Sequence, residues 1–207
     1  MCGIVGYIGY REAYPIVIKG LKRLEYRGYD SAGIMVYDGQ EIKLSKTKGK
    51  VSDLETKSNS EMTINGTIGM GHTRWATHGV PNDVNSHPHV SNSGDLTIIH
   101  NGIIENYAPL KQELIKRGYV FHSDTDTEVL VNLIEEVQKK EKLKLGKAVQ
   151  LALNQVIGAY AIAVFDKKNP NEIVAARLGS PLAIGVGAGA YLTASAASPL
   201  LAYTPTA

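Results

Sequence analysis

Position 2 holds the only cysteine of the 207-residue chain, between Met1 and Gly3. Loss of the initiator methionine would leave Cys2 with both a thiol and a free α-amine, a nucleophile that carries its own base. A lone cysteine has no internal disulfide partner, and it reacts as the thiolate, so a proton acceptor beside it matters. An α-amine has an ordinary pKa of about 7.7–8.0 against about 8.5 for cysteine, so near neutral pH part of it is free to accept that proton. Threonine paired with an N-terminal amine is activated in this way. A cysteine here can equally be a small buried or frayed residue.

Four other segments carry residue types suited to chemistry. Arg27-Gly28-Tyr29-Asp30-Ser31-Ala32-Gly33 sets a guanidinium near a carboxylate, either to tie down a loop or to serve a site. In Thr73-Arg74-Trp75-Ala76-Thr77-His78-Gly79 a planar cation stands beside an aromatic wall. Arginine grips carboxylates through two parallel hydrogen bonds, so Arg74 suits a small carboxylate ligand; a structural cation stacked on Trp75 is the other reading. His100-Asn101-Gly102 reads as a turn, or as an asparagine amide and a glycine N–H forming two donors of an oxyanion hole. Asp126 lies within Thr125-Asp126-Thr127-Glu128, where it can open a helix or receive a ligand ammonium. The spacing of His72, His78, His87 and His89 matches no HExxH pattern, and a single thiol cannot build a structural zinc cluster, so no metal is expected.

The elements that must position these groups come in runs. Ile4–Ile8 is a short apolar strand, and Tyr14, Val17, Ile18, Leu21 and Leu24 recur at helical spacing with Pro15 in the first turn. Strands at Ser31–Tyr37 and Ile42–Leu44 flank the hairpin signal Asp38-Gly39. Thr67–Thr73 and Leu96–His100 read as strands, and the Gly-, Pro-, Asn- and His-rich stretch from Thr77 to Gly94 as an ordered functional loop. Helices are expected over Ile104–Arg117, capped by Gly118, then from the capping box at Thr125, and over Lys147–Val156. Strands at Ala159–Asp166, Ile173–Arg177 and Leu182–Val186 follow. Grouped strands and helices favour an α+β fold with packed sheets covered by helices.

At 22.3 kDa and 43% hydrophobic residues, one large domain over residues 1–207 fits better than two small ones. A net charge of +2 with no aromatics interleaved among the lysines of 43–50 and 139–147 argues against nucleic acid. The N-terminus has no basic, apolar leader, and no uninterrupted apolar run reaches the roughly 18 residues of a spanning helix, which implies a soluble, reducing, cytoplasmic protein. After Arg177 no charged residue occurs. So long a charge-free stretch is expected to pack against missing sequence or to be imperfectly represented, and the chain to be a fragment of something longer.

Cys2-Gly3-Ile4-Val5-Gly6, Leu24 to Gly33, Thr73 to Gly79, Asn85-Ser86-His87-Pro88-His89, His100-Asn101-Gly102 and Thr125 to Glu128 together resemble the glutaminase domain of the glucosamine-6-phosphate synthases, over roughly residues 2–187. These are class II glutamine amidotransferases, within the N-terminal nucleophile hydrolases. The resemblance implies a four-layer αββα sandwich with Cys2 at the end of a central strand and no metal or organic cofactor. It implies that Cys2 attacks the side-chain amide of L-glutamine, that Asn101 and the Gly102 N–H hold the oxyanion, and that Arg74 and Asp126 take the α-carboxylate and α-ammonium. Trp75, Thr77 and His78 would line the pocket, and Arg27 would order the loop around the thiol. It further implies C-terminal sugar isomerase domains, absent from this chain, that use the ammonia on fructose 6-phosphate, and a homodimer at full length. Two alternatives stand: the glutamine phosphoribosylpyrophosphate amidotransferases, which share the thiol, the arginine and Asn-Gly, and a glutamine-binding domain made inactive by a retained Met1. Near Tyr191–Ala207 the resemblance carries nothing over.

Overall fold

In a computed structural model of the chain, residues 2–77, 79–201 and 203 are described. The short apolar segment Gly3–Ile8 forms strand β1, and the helical spacing that follows is helix α1, Ala13–Leu24, with Tyr14, Val17, Ile18, Leu21 and Leu24 on its buried face. Strands β2 (Ser31–Tyr37) and β3 (Ile42–Lys48) form the hairpin around Asp38-Gly39, whose carboxylate accepts the Gln40 and Glu41 N–H groups. Helix α2 (Val51–Glu61) follows, then β4 (Ile68–Arg74), a two-residue strand β5 (His89–Val90) and β6 (Leu96–Ile104). Three helices come next: α3 (Tyr107–Lys116), α4 (Asp126–Glu141) and α5 (Leu145–Leu153). The chain then runs through β7 (Gly158–Asp166), β8 (Ile173–Leu178), β9 (Ala183–Gly187) and β10 (Ala190–Ala194).

Two antiparallel sheets result, one of order β3-β2-β4-β1-β10-β9 and one of order β5-β6-β7-β8. Side chains alternate between faces along a strand, and here both faces are apolar. Val5 and Tyr7 of β1, with Ala32, Ile34 and Val36 of β2, pack under α1 and α2. Ile4, Met35 and Tyr37 point the other way and meet Ile99, Ala161, Ala163 and Phe165 of the second sheet. The outer face of that sheet, with Ile98, Ile162 and Val164, is covered by α4 and α5. Three cores thus separate four layers, helix–sheet–sheet–helix, as expected.

Several local expectations change. Strand β6 continues through Asn101-Gly102 to Ile104, paired throughout with β7, so Asn-Gly is not a turn. Helix α3 accordingly begins at Tyr107 rather than Ile104, and α5 covers Leu145–Leu153 rather than Lys147–Val156. At α4 only half of the capping box forms: Thr125 Oγ1 accepts the Glu128 N–H, while the Glu128 carboxylate reaches back to the N–H groups of His122 and Ser123. Part of the charge-free tail packs within this chain. Its strand β10 pairs with β1 at the middle of the larger sheet, and Leu192, Ala194 and Leu200 join the core beneath α1. Among the described residues no helix is long and apolar enough to cross a membrane.

Candidate active site

Strand register brings the first groups together. Gly3 of β1 pairs with Thr73 of β4, so Cys2 lies level with Arg74 at one end of the larger sheet. There the Trp75 N–H donates to Cys2 Sγ at 3.0 Å. The strand end is pinned from β2: Asp30 N–H donates to the Arg74 carbonyl at 2.7 Å, and the Asp30 carboxylate accepts from the Ala76 N–H and, at 2.9 Å, from Ser31 Oγ. Across the seam Asn101 Nδ2 donates to the Cys2 carbonyl at 2.9 Å. Asp126, the first residue of α4, is buried and accepts the Ile104 N–H at 2.8 Å. Its charge sits where the helix dipole favours an anion.

These side chains open onto one cavity of about 240 Å³, lined by Cys2, Arg74, Trp75, Thr77, Asn101 and Gly102, and closed by Ile103, Asp126 and the Ser180-Pro181 turn after β8. Ligand pockets span roughly 300–1,000 Å³, so this one suits a molecule of amino-acid size. It holds a nucleophile, a buried guanidinium and a buried carboxylate. Burial pushes the Cys2 thiol up from its ordinary pKa, against the pull of the Trp75 N–H. The sulfur is therefore a thiol near neutral pH and needs a base. Arg74 is 3% exposed and donates to the carbonyls of Gly79 and Val80 at 3.1 and 3.4 Å, so the loop after β4 fixes its head.

A layer of imidazoles forms one side of the cavity, with His87 and His100 in its lining and His72 and His89 behind them. His72 of β4 stacks on His87 with ring centroids 4.1 Å apart, and His87 meets His89 edge-on at 4.9 Å. His100 Nδ1 lies 2.8 Å from Thr127 Oγ1 and His89 Nε2 3.1 Å from Thr125 Oγ1. Burial pushes His72 down to about 3 and holds His87 and His89 well below the ordinary histidine range, so all three are neutral near pH 7. Lys46 holds the same loop from outside, donating to the carbonyls of Val84 and Pro88 at 3.2 and 3.3 Å; burial lowers it to about 8. Gly33 makes room for this layer, since a Cβ there would stand 1.8 Å from the His87 carbonyl oxygen. Among the described residues no group of three or more His, Cys, Asp or Glu is placed to hold a metal ion.

The structure thus gathers seven of the nine residues expected for the site: Cys2, Arg74, Trp75, Thr77, Asn101, Gly102 and Asp126. Arg27 does not line the cavity. Its guanidinium donates to the carbonyl and the hydroxyl of Ser195, both at 3.2 Å, and Ser195 in turn bonds both backbone groups of Ile4. It fastens the tail beside β1. His78 lies outside the described residues. Sequence reasoning gave no role to Thr127, Ile103 or the Ser180-Pro181 turn. Only the turn carried a signal, the Gly-Ser-Pro that ends β8.

A family model described as a glutamine amidotransferase domain matches residues 57–206. The chain belongs to the glutamine amidotransferase family. It is 61% identical over 205 residues to the glutamine–fructose-6-phosphate aminotransferase (isomerizing) of Bacteroides thetaiotaomicron, a match covering 99% of this chain and 33% of that protein. The corresponding protein of Chlorobaculum tepidum is 56% identical over 207 residues, with 99% and 34% covered. The chain therefore spans about a third of the length of these curated relatives. Among solved structures, the glutamine phosphoribosylpyrophosphate amidotransferase of B. subtilis, complexed with ADP and GMP, superposes with a TM-score of 0.83 at 30% identity, covering 98% of this chain and 44% of that one.

Proposed function

We propose that the chain is a glutaminase domain that hydrolyses L-glutamine to glutamate and ammonia through a thioester on Cys2. The observation that carries this reading is the single cavity in which Cys2, the Asn101-Gly102 pair, Arg74 and Asp126 converge. Once Met1 is removed, the Cys2 amine takes the thiol proton as Sγ attacks the glutamine side-chain carbonyl carbon. The oxyanion is held by Asn101 Nδ2, whose second hydrogen is not needed by the Cys2 carbonyl, and by the Gly102 N–H. The tetrahedral intermediate collapses with transfer of the proton to the departing nitrogen, which leaves as ammonia. Water then cleaves the thioester, releasing glutamate and restoring the thiol. Arg74 holds the α-carboxylate and Asp126 the α-ammonium, while Trp75 and Thr77 wall the pocket. The reaction needs no metal or organic cofactor.

In the whole protein the ammonia would pass to a C-terminal part that aminates fructose 6-phosphate. Identity of 61% to an aminotransferase, against 30% to the phosphoribosylpyrophosphate enzyme, favours that acceptor. Glutamate release by the chain, after mass spectrometry confirms a free Cys2 amine, tests the reading. The Cys2→Ala protein should bind glutamine and release no glutamate; glutamate release at the original rate would end the thioester mechanism.

A further inference from the structure

His72 lies one strand away from the nucleophile and does not itself line the cavity, yet its ring decides how Asn101 faces it. Nε2 of His72 is 2.9 Å from the backbone carbonyl oxygen of His100 and 3.0 Å from Oδ1 of Asn101. A backbone carbonyl only accepts, so Nε2 must carry the hydrogen. Burial holds the ring neutral, so Nδ1 carries none, and that atom is buried without a partner. An Nε2–H can face only the oxygen of the Asn101 amide. The amide nitrogen is thereby turned to the other side, where it donates to the Cys2 carbonyl at 2.9 Å and borders the cavity. With the amide reversed, two oxygens would oppose each other at Cys2 and two donors at His72; the Asn101 amide and the Cys2 carbonyl would lose their hydrogen bond to each other, and His72 would keep only the His100 carbonyl.

The ring itself has little freedom. It is completely buried, stacked on His87 at an interplanar angle of 11°. We propose that His72 is a positioning residue for glutamine hydrolysis: its single tautomer, set by the His100 carbonyl, locks the Asn101 amide with Nδ2 toward the developing oxyanion. This rests on the glutaminase reading and adds a residue that acts only through another.

Two amides separate the lock from mere filling of space. A glutamine side chain can bring an N–H near the position of histidine Nε2, whereas an asparagine reaches only as far as Nδ1. Glutamine kinetics on the methionine-free protein should therefore show His72→Gln within about tenfold of the parent kcat and His72→Asn lower by about 100-fold, the scale of one lost oxyanion donor. KM should stay within about threefold in both, because Arg74 and Asp126 hold the substrate. The Asn101 side-chain amide resonances should keep their positions in His72→Gln and shift in His72→Asn. If the parent releases no glutamate, the glutaminase reading fails first. If the parent is active and the two variants turn over alike, or the loss appears in KM, the lock is wrong. Should His72→Asn not fold, His72→Gln alone decides: kcat down by about 100-fold with the fold intact would overturn the proposal.

Discussion

Acid stability offers a measurement that depends on the buried His72 and on no ligand. In the unfolded chain its imidazole takes a proton as the pH falls through 6.5; in the folded protein burial delays that until about 3. Above pH 6.5 both states are neutral at this position and it contributes no pH dependence. Below it the unfolded state holds the extra proton, so folding stability falls by about 1.36 kcal/mol per pH unit until the folded ring also titrates. Between pH 7.5 and 4.5 the two units below 6.5 amount to about 2.7 kcal/mol from this ring. Carboxylates and the other buried histidines also respond, so the quantity to measure is a difference. Urea unfolding of the parent and of His72→Gln at both pH values should show the parent losing about 2–3 kcal/mol more than the variant. Equal losses would refute the claim that His72 is held neutral by burial.

Two further substitutions probe what surrounds the cavity. Gly33→Ala drives a Cβ against the His87 carbonyl and should destabilise by about 3 kcal/mol or more, whereas Gly146→Ala, in open space on α5, should stabilise by about 0.5 kcal/mol; urea midpoints that do not separate the two would contradict the close approach of the histidine layer to β2. Arg27→Ala removes two hydrogen bonds to Ser195 and should lower stability by about 1–2 kcal/mol with KM for glutamine within about twofold, and a tenfold rise in KM would return Arg27 to the substrate.

What was legible in the sequence, and what was not, divides along physical lines. Strand β1, helix α1 and the β2–β3 hairpin were readable because an apolar run, a helical spacing and an Asp-Gly turn are local signals. Helix α2 went unrecognised: of Val51–Glu61 only Val51, Leu54 and Ser58 are buried, too thin a stripe to show a period. Asn101-Gly102 reads equally as a turn because its strand conformation is imposed by pairing with β7, and Gly102 holds φ of 122° where a Cβ would strike the Ala159 carbonyl at 2.1 Å. Arg27 was drawn toward the site by its place in a motif, although its partner Ser195 is 168 residues away. The tail's β10 carries no charge to mark a face, and its place beside β1 shows only in the pairing.

Strand periodicity explains why the candidate site residues converge. Along β4 the residues facing the second sheet are Ile68, Met70, His72 and Arg74, the first two within the inter-sheet core. Along β6 the same face carries Ile99 and then Asn101, and in β1 Ile4 is preceded two positions earlier by Cys2. Each strand thus passes, at a spacing of two, from apolar filler to a polar group as it reaches the same end of the seam. The dry end holds the sheets in register through Ile4, Met70, Ile99 and Phe165, and the polar end inherits that register. Between them a full charge would be costly to bury, whereas a neutral imidazole can pack like an aromatic ring and still donate one directed hydrogen bond. His72 occupies that intermediate step on β4. The seam therefore grades from hydrocarbon through uncharged hydrogen-bonding rings to Arg74 and the thiol, which sets the amide of Asn101 without a mobile side chain or a charge beside the nucleophile's carbonyl.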